Sequence, residues 1–468
     1  MFIILIKICA QDKWVLLVQE TINILPSEAG YNGIVWWRMK FKKIDTIIIV
    51  VLIIVSTLFL VKADYISVIL SPVHTSPPGN NTTTVTPLPP EKLPTPPTSL
   101  LPAYRRDVST ADEGVHFSSM RISREWWYFT AVFNDSSSQL KDWAVAISFN
   151  HMARGDLLGA NKPDLLVVSI LGNNSETYGG MVNKQHYFGI LQDGILIADS
   201  PGVKVQFENS WAEGSYPRWH VHAEDLDIDP SHELVIDLDY LALSLPIWTI
   251  GSQAIDASDS EVASYVLLGC EVSGTITIDD QTYTVKGSGS HEHSWTPNAI
   301  NRLAIGGWDW FSLTLENGWN IYATNYLPSP QAVSGALSTL DPYGTLLITT
   351  DRGKTFTELK DVNLRITQKD EKVFPLVRLP SAFSIKADPS INPLYVISQS
   401  LLYGTKTTLR GDLSLTHATN KIWKFPTYLG MKIGYCILDA TISWTDNDGD
   451  YEIAVQGIGV SWNMRALL

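Results

Sequence analysis

Two stretches of the chain hold the residues best suited to chemistry. Gly287-Ser-Gly-Ser-His-Glu-His-Ser-Trp295 sets two imidazoles around a carboxyl group, and Gly306-Gly-Trp-Asp-Trp-Phe311 places one acid between two indoles. Alternate residues of an extended strand share a face, so His291, His293 and Trp295 point one way and Glu292 and Ser294 the other. By the same period Asp309 and Phe311 lie opposite Trp308 and Trp310. A third stretch, Arg124-Glu-Trp-Trp-Tyr-Phe-Thr130, adds Glu125 beside Trp126 and Trp127. Ionisable groups among indoles are candidates for shifted pKa values, because desolvation penalises their charged forms.

These residue types suit proton transfer to an apolar substrate. Hydrating or isomerising an isoprenoid double bond needs an acid that protonates carbon, a site that tolerates a carbocation, and a placed water. Asp309 fits the acid if burial raises its pKa, and His293 fits the group that positions or deprotonates water. Glu125, Trp126, Trp127, Trp295, Trp308 and Trp310 would line the ligand site, with indole faces toward the cation. The scheme needs no cofactor. Structural alternatives stay open: Asp309 as a hydrogen-bonded acid tying two strands, the tryptophans as packing, and Glu125 as the ion-pair partner of Arg121 or Arg124. His291-x-His293 also invites a zinc reading, but spacing does not single out a third ligand among His151, His186, His220, His222 and Asp309, so no metal site is assigned. A serine hydrolase is disfavoured, since no G-x-S-x-G elbow occurs.

The elements that would position these residues read as strands. Trp143–Phe149, Leu234–Leu241, Val272–Ile278, Phe311–Leu315 and Ile437–Trp444 are rich in β-branched and aromatic residues with partial alternation. Turn pairs such as Asp193-Gly194, Asp279-Asp280, Asn317-Gly318 and Asp448-Gly449 punctuate them. No apolar period of 3.6 residues persists beyond about three turns after residue 104. The body therefore reads as all-β, with many short antiparallel strands. It is long enough for two barrel-like units, residues 104–297 and 298–468, and no internal repeat is obvious.

The E-W-W-Y-F strand, the later H-x-W at His293 and Trp295, and the G-W-D-W-F strand together resemble the AttH-like group, which includes the carotenoid hydratases (hydroxyneurosporene synthases) and is similar to the fungal Diels–Alderases. The resemblance runs from about Phe117 to the C-terminus and is weak over residues 330–430. It implies two tandem lipocalin-like antiparallel β-barrels that receive long hydrophobic molecules, with the family's H-x-W on His293 and Trp295 and its acid on Asp309. The chain departs from the family pattern where Glu292 precedes His293 and Thr296 follows Trp295.

Ahead of the body lies an address. The run Ile47–Val61 is almost wholly apolar and follows Arg38, Lys40, Lys42 and Lys43, which predicts a transmembrane anchor or signal segment over residues 44–62, after a basic segment over 1–43. Met39 would begin a more compact leader, so residues 1–38 read as an incorrectly assigned start. Residues 63–103 read as a Pro/Thr-rich stalk, with ten Pro and seven Thr among residues 71–103. Asn80, Asn81, Asn134 and Asn173 head glycosylation sequons. The expected placement is at a cell membrane with the body outside, or secreted if the leader is cleaved. The expected partners are the membrane and an apolar small molecule or lipid; oligomeric state is not legible.

Composition excludes other classes. Of 468 residues, 45% are hydrophobic and 18% charged, which rules out a wholly disordered chain. The net charge is −14, and residues 1–62 carry seven Lys/Arg against four Asp/Glu, which leaves −17 on the remainder and argues against nucleic acid as a partner. Three cysteines with no CxxC pair exclude a disulfide scaffold; Cys270 and Cys436 are either one bridge or two buried thiols.

Overall fold

The computed structural model describes residues 3–8, 13–18, 108–116, 124–151, 164–184, 195–224, 227–250, 263–296, 305–328, 344–354, 356–359, 362–369, 371–374, 377–387, 408–425, 429–445 and 450–466. The expected anchor over 44–62 and the stalk over 63–103 lie outside these residues. Among those described, no helix is long and apolar enough to cross a membrane. In a unit of their own, β1 (Ile3–Ile8) and β2 (Lys13–Val18) pair antiparallel.

The described residues of the second unit are all-β apart from one helical turn, α1 (Thr110–Glu113). Its first sheet comprises β3 (Arg124–Val132), β4 (Ala144–His151), β5 (Asp164–Leu171), β6 (Thr177–Lys184), β7 (Ile197–Ala198), β8 (Val203–Phe207), β9 (Ser210–Ser215), β10 (Arg218–Glu224), β11 (Leu234–Leu241), β12 (Ile247–Ile250), β13 (Ala263–Ile278) and β14 (Gln281–Thr296). Their order is β6-β5-β4-β3-β14-β13-β11-β10-β9-β8-β7, with β12 also on β13. The second sheet holds β15 (Ile305–Leu315), β16 (Asn320–Pro328), β17 (Gly344–Thr349), β18 (Thr357–Leu359), β19 (Val362–Gln368), β22 (Ala382–Ala387), β23 (Thr408–Phe425), β24 (Leu429–Thr445) and β25 (Asp450–Ala466), ordered β18-β17-β16-β15-β25-β24-β23-β22-β19. β20 (Glu371–Phe374) and β21 (Val377–Leu379) form a separate hairpin.

Both sheets are built by one rule: the first long strand pairs with the last, β3 with β14 and β15 with β25, and the others flank them in descending order. This duplication is carried by topology and leaves no visible repeat in sequence. Each sheet also curls, since β4 meets β8 across the first and β17 meets β19 across the second. The expected pair of all-β units is thus present as two curled antiparallel sheets.

Strand alternation then sorts the side chains into three apolar layers. Odd residues of β3 and β14 (Trp127, Phe129, Trp295) join Trp219, Tyr240 and Tyr265 inside the first curl. Even residues (Tyr128, Val132) meet Trp310, Tyr322, Tyr435 and Trp462 in a layer between the sheets. Phe311, Leu313, Phe383 and Leu438 fill the second curl. Because β4 and β5 lie between two of these layers, every residue in them is buried, as a strand covered on both faces requires. β13 bulges between Leu268 and Cys270, where Gly269 takes φ +66°; a Cβ there would stand 2.7 Å from the Arg352 backbone, so glycine lets the sheets approach. Cys270 and Cys436 are free, buried thiols, each pushed up to about 12 by burial.

Candidate functional site

The predicted residues fall on three surfaces. Glu125, Trp127, His293 and Trp295 face the interior of the first curl; Trp126, Trp308 and Trp310 face the layer between the sheets; Asp309 is buried on the inner side of the second sheet. His293 and Asp309, expected to act together, therefore look into different interiors, with the shared aromatic layer between them. A sequence separation of only 16 residues hid this, because β14 and β15 end and begin different sheets.

Asp309 ties β15 to β25. Arg465 Nη2 donates to both its carboxylate oxygens, at 2.8 and 3.0 Å, and Asn463 Nδ2 donates to Oδ1 at 2.9 Å. The same guanidinium donates through Nη1 to the Trp308 and Met464 carbonyls. From Asn463 the chain of contacts runs on through Ser461 to His417 Nε2.

In the first curl the polar groups are arranged differently. Register places Trp295, Glu125, His151 and Asp164 in one row across β14, β3, β4 and β5, and His151 Nδ1 meets Asp164 Oδ1 at 2.7 Å. Glu125 accepts the His116 backbone N–H, at 3.0 and 2.8 Å to its two oxygens, and its Oε1 lies 3.0 Å from His116 Nδ1 and 2.9 Å from His293 Nε2. Burial would raise its pKa, but the contacts from His116 and His293 outweigh this and hold it below the usual carboxylate value. Trp295 stacks on His116 at 3.9 Å, and Trp127 on His293 at 4.8 Å.

Helix α1 supplies what the strands lack. Ser109 and Asp112 form a capping box, Ser109 Oγ accepting from the Asp112 amide at 3.1 Å and Asp112 Oδ2 from the Ser109 amide at 2.9 Å. The turn so fixed presents the Asp112 carbonyl to His293 Nδ1 at 2.8 Å and buries Glu113 completely. Glu113 Oε1 accepts from the Tyr216 amide at 2.8 Å and Trp219 Nε1 at 3.0 Å, whereas Oε2 has no hydrogen-bond partner among the described residues. Burial pushes Glu113 up to about 7, against those two hydrogen bonds. It is a carboxylic acid able to hold its proton near neutrality.

Rings join this acid to further polar atoms in want of partners. Trp219 lies 4.9 Å from His291, which stacks on Phe129 and sits edge-on to Tyr265 at 6.0 Å. His291 Nδ1 donates to the Tyr128 carbonyl at 3.2 Å, so its Nε2 is an acceptor; burial pushes the ring down to about 3 and keeps it neutral. His291 Nε2, Tyr265 Oη, Tyr240 Oη and Trp295 Nε1 are all buried without a hydrogen-bond partner among the described residues. Buried polar atoms are almost always satisfied, so these four and Glu113 Oε2 are candidates to meet polar ligand atoms or ordered water. Sequence reasoning missed Glu113, His116 and Tyr265; the only local signal was Ser109-Thr-Ala-Asp112, readable as a capping box.

Between the sheets, Glu292 accepts from Trp310 Nε1 at 2.6 Å, Tyr322 Oη at 3.2 Å and Ser294 Oγ at 3.2 Å, and burial pushes its pKa up against these bonds. On the same face, away from the histidines, a cavity of about 10 Å³ lined by Thr130, Ser288, Ser312 and Asn320 has room for about one water.

No family model matches the chain, and no curated protein matches it in sequence. Among solved structures it is similar to kievitone hydratase from Nectria haematococca, at 12% identity and TM-score 0.47, over 77% of this chain and 96% of that one. It is similar also to an AttH-type protein from Nitrosomonas europaea, at 11% identity and TM-score 0.45, over 74% and 93%. The structure of CghA with Sch210972 matches at 12% identity and TM-score 0.38, over 74% and 89%. At this identity and overlap the likeness carries no function to this chain.

Proposed function

We propose that the interior of the first curl binds an apolar molecule, isoprenoid or lipid in class, and adds a proton to one of its double bonds, with Glu113 as the acid. The observation that carries this reading is the state of Glu113: fully buried, raised to about 7, with Oε2 unpartnered among the described residues. A proton donor working near neutrality needs a pKa near neutrality. Protonating carbon creates a cation, and the faces of Trp219, Trp127 and Tyr265 are the groups at hand to stabilise it. His291 Nε2, an acceptor with no other partner described, suits the water that would quench it.

Asp309, the acid expected from the motif, suits this role less well. Both of its oxygens accept from one guanidinium, which engages the carboxyl in tying β15 to β25. The apolar run Ile47–Val61 behind its basic flank supports a membrane-tethered chain with this body outside the cytoplasm.

The test incubates the full chain with an acyclic isoprenoid alcohol such as geranylgeraniol in ¹⁸O-labelled water and follows label uptake and ligand retention by mass spectrometry. Glu113→Gln should abolish product while keeping the ligand bound, and Asp309→Asn that remains folded should keep turnover. Ligand bound without turnover by the wild type would leave a carrier; turnover retained in Glu113→Gln would remove Glu113 from the chemistry.

A further inference from the structure

His116, Glu125 and His293 converge without sequence proximity. Each offers one ligand atom, and the three atoms lie within 4.8 Å of one another. His116 comes from the segment after α1, Glu125 from β3 and His293 from β14, so the fold brings together what spacing could not reveal. Two separations, 3.0 and 2.9 Å, are close to the ligand–ligand edge of about 3.3 Å that bonds of about 2.0–2.1 Å make around a tetrahedral zinc.

The hydrogen bonds around the cluster point the same way. The Asp112 carbonyl can only accept, so His293 Nδ1 carries the ring proton and Nε2 presents a lone pair. That lone pair faces a carboxylate oxygen at 2.9 Å. Two acceptors in contact need a proton on one of them or a metal ion between or beside them. His293 is fully buried among Trp127, Tyr265 and Trp295, where no water can stand in for that partner. The arrangement is also the usual outer shell of a metal site, in which a ligating histidine donates its other N–H to a backbone carbonyl and the ligating carboxylate is itself hydrogen-bonded, here by the His116 amide. His116 is fixed by stacking on Trp295 with only 3° between the rings, and its side chain remains 12% exposed, which provides a way in.

We propose that His116 Nδ1, Glu125 and His293 Nε2 bind one divalent ion of the zinc class. Two imidazoles and one carboxylate suit a borderline first-row ion better than magnesium or calcium, which prefer oxygen. The inference does not draw on Glu113 as an acid. A second histidine group on the outer face of β10 and β11, His220 and His222 with Asp237 and Asp239, provides an internal control, since it is partly exposed.

The full chain, purified without a histidine tag and stripped with chelator, would be titrated with Co(II) while following d–d absorption, and native zinc would be measured by inductively coupled plasma mass spectrometry. The expected result is about one ion per chain, with affinity reduced at least about tenfold and the cobalt spectrum altered in Glu125→Gln and in His116→Ala. His116 lies outside the strands, so its variant keeps the sheets intact, with near-ultraviolet circular dichroism as the check. A folded wild type that takes up no ion would overturn the proposal in favour of a proton shared by His293 and Glu125. Uptake unchanged by His116→Ala and abolished by His220→Ala would overturn it equally, by moving the ion to the outer face. Cobalt binding without isoprenoid turnover would keep this site and reject the hydration reading; turnover without cobalt binding would do the reverse.

Discussion

The two curled sheets each bury an acid, and the acids meet opposite fates. In the second sheet Asp309 has a guanidinium within 3.0 Å of both oxygens, so its charge is neutralised in place. In the first, Glu113 receives only an amide N–H and an indole N–H on one oxygen, and burial raises it to about 7. Hydrogen bonds from neutral donors stabilise a carboxylate less than a charged fork does, and they do not cover the cost of desolvation here. A buried acid is thus either a strut or a candidate proton donor, and a nearby arginine decides which. Arg465 stands 156 residues from Asp309 in sequence, so the motif around Asp309 cannot disclose it.

Breaking the strut should have the largest effect. Arg465→Met leaves Asp309 buried with Asn463 as its remaining described donor, and the expected loss is about 3–5 kcal/mol, measured as a fall in the urea midpoint. Asp309→Asn combined with Arg465→Met should recover most of that loss, because neither buried charge then remains. A loss below about 1 kcal/mol for the single variant would mean that the pair contributes little and that Asp309 is not held as described.

Glu292 extends the comparison to the layer between the sheets. Like Glu113 it is buried, raised, and bonded to neutral donors, chiefly Trp310 and Tyr322. A protonated acid and an amide are nearly the same shape, so Glu292→Gln should change stability by no more than about 1 kcal/mol. A loss as large as that of Arg465→Met would show that Glu292 is ionised and paired, a second strut.

Local pattern carried the fold a long way. β-branched alternation marked Leu234–Leu241 with the bounds that β11 has, and Asp279-Asp280 and Asn317-Gly318 do connect β13 to β14 and β15 to β16. The period of two also placed His291, His293 and Trp295 on one face and set Asp309 opposite Trp308 and Trp310. Period says which residues share a face; it does not say which interior that face turns toward. Hence the two motifs read as one site, although β14 turns its histidines, and β15 its aspartate, away from a shared aromatic layer. Glu113 and His116 were hidden for another reason: a single helical turn has no periodicity to detect, and its role depends on where the turn seats against β3, β10 and β14. The shared strand order of the two sheets was likewise invisible, since hydrogen-bond topology can persist where side-chain identity does not.

The contrast between strut and proton donor rests on Glu113, and the pH dependence of stability tests it. A folded-state pKa near 7 against 4.5 in the unfolded chain means that the native state binds the extra proton, so stability is fully present below pH 4.5 and is lost as pH rises toward and through 7. The difference in unfolding free energy between wild type and Glu113→Gln should therefore shift against the wild type by up to about 3 kcal/mol across that window, and level off above it. Asp309→Asn should not remove this slope. A wild type and a Glu113→Gln variant whose stabilities run parallel from pH 4.5 to 8 would show that Glu113 holds no proton in the folded protein and would leave the first curl without its acid.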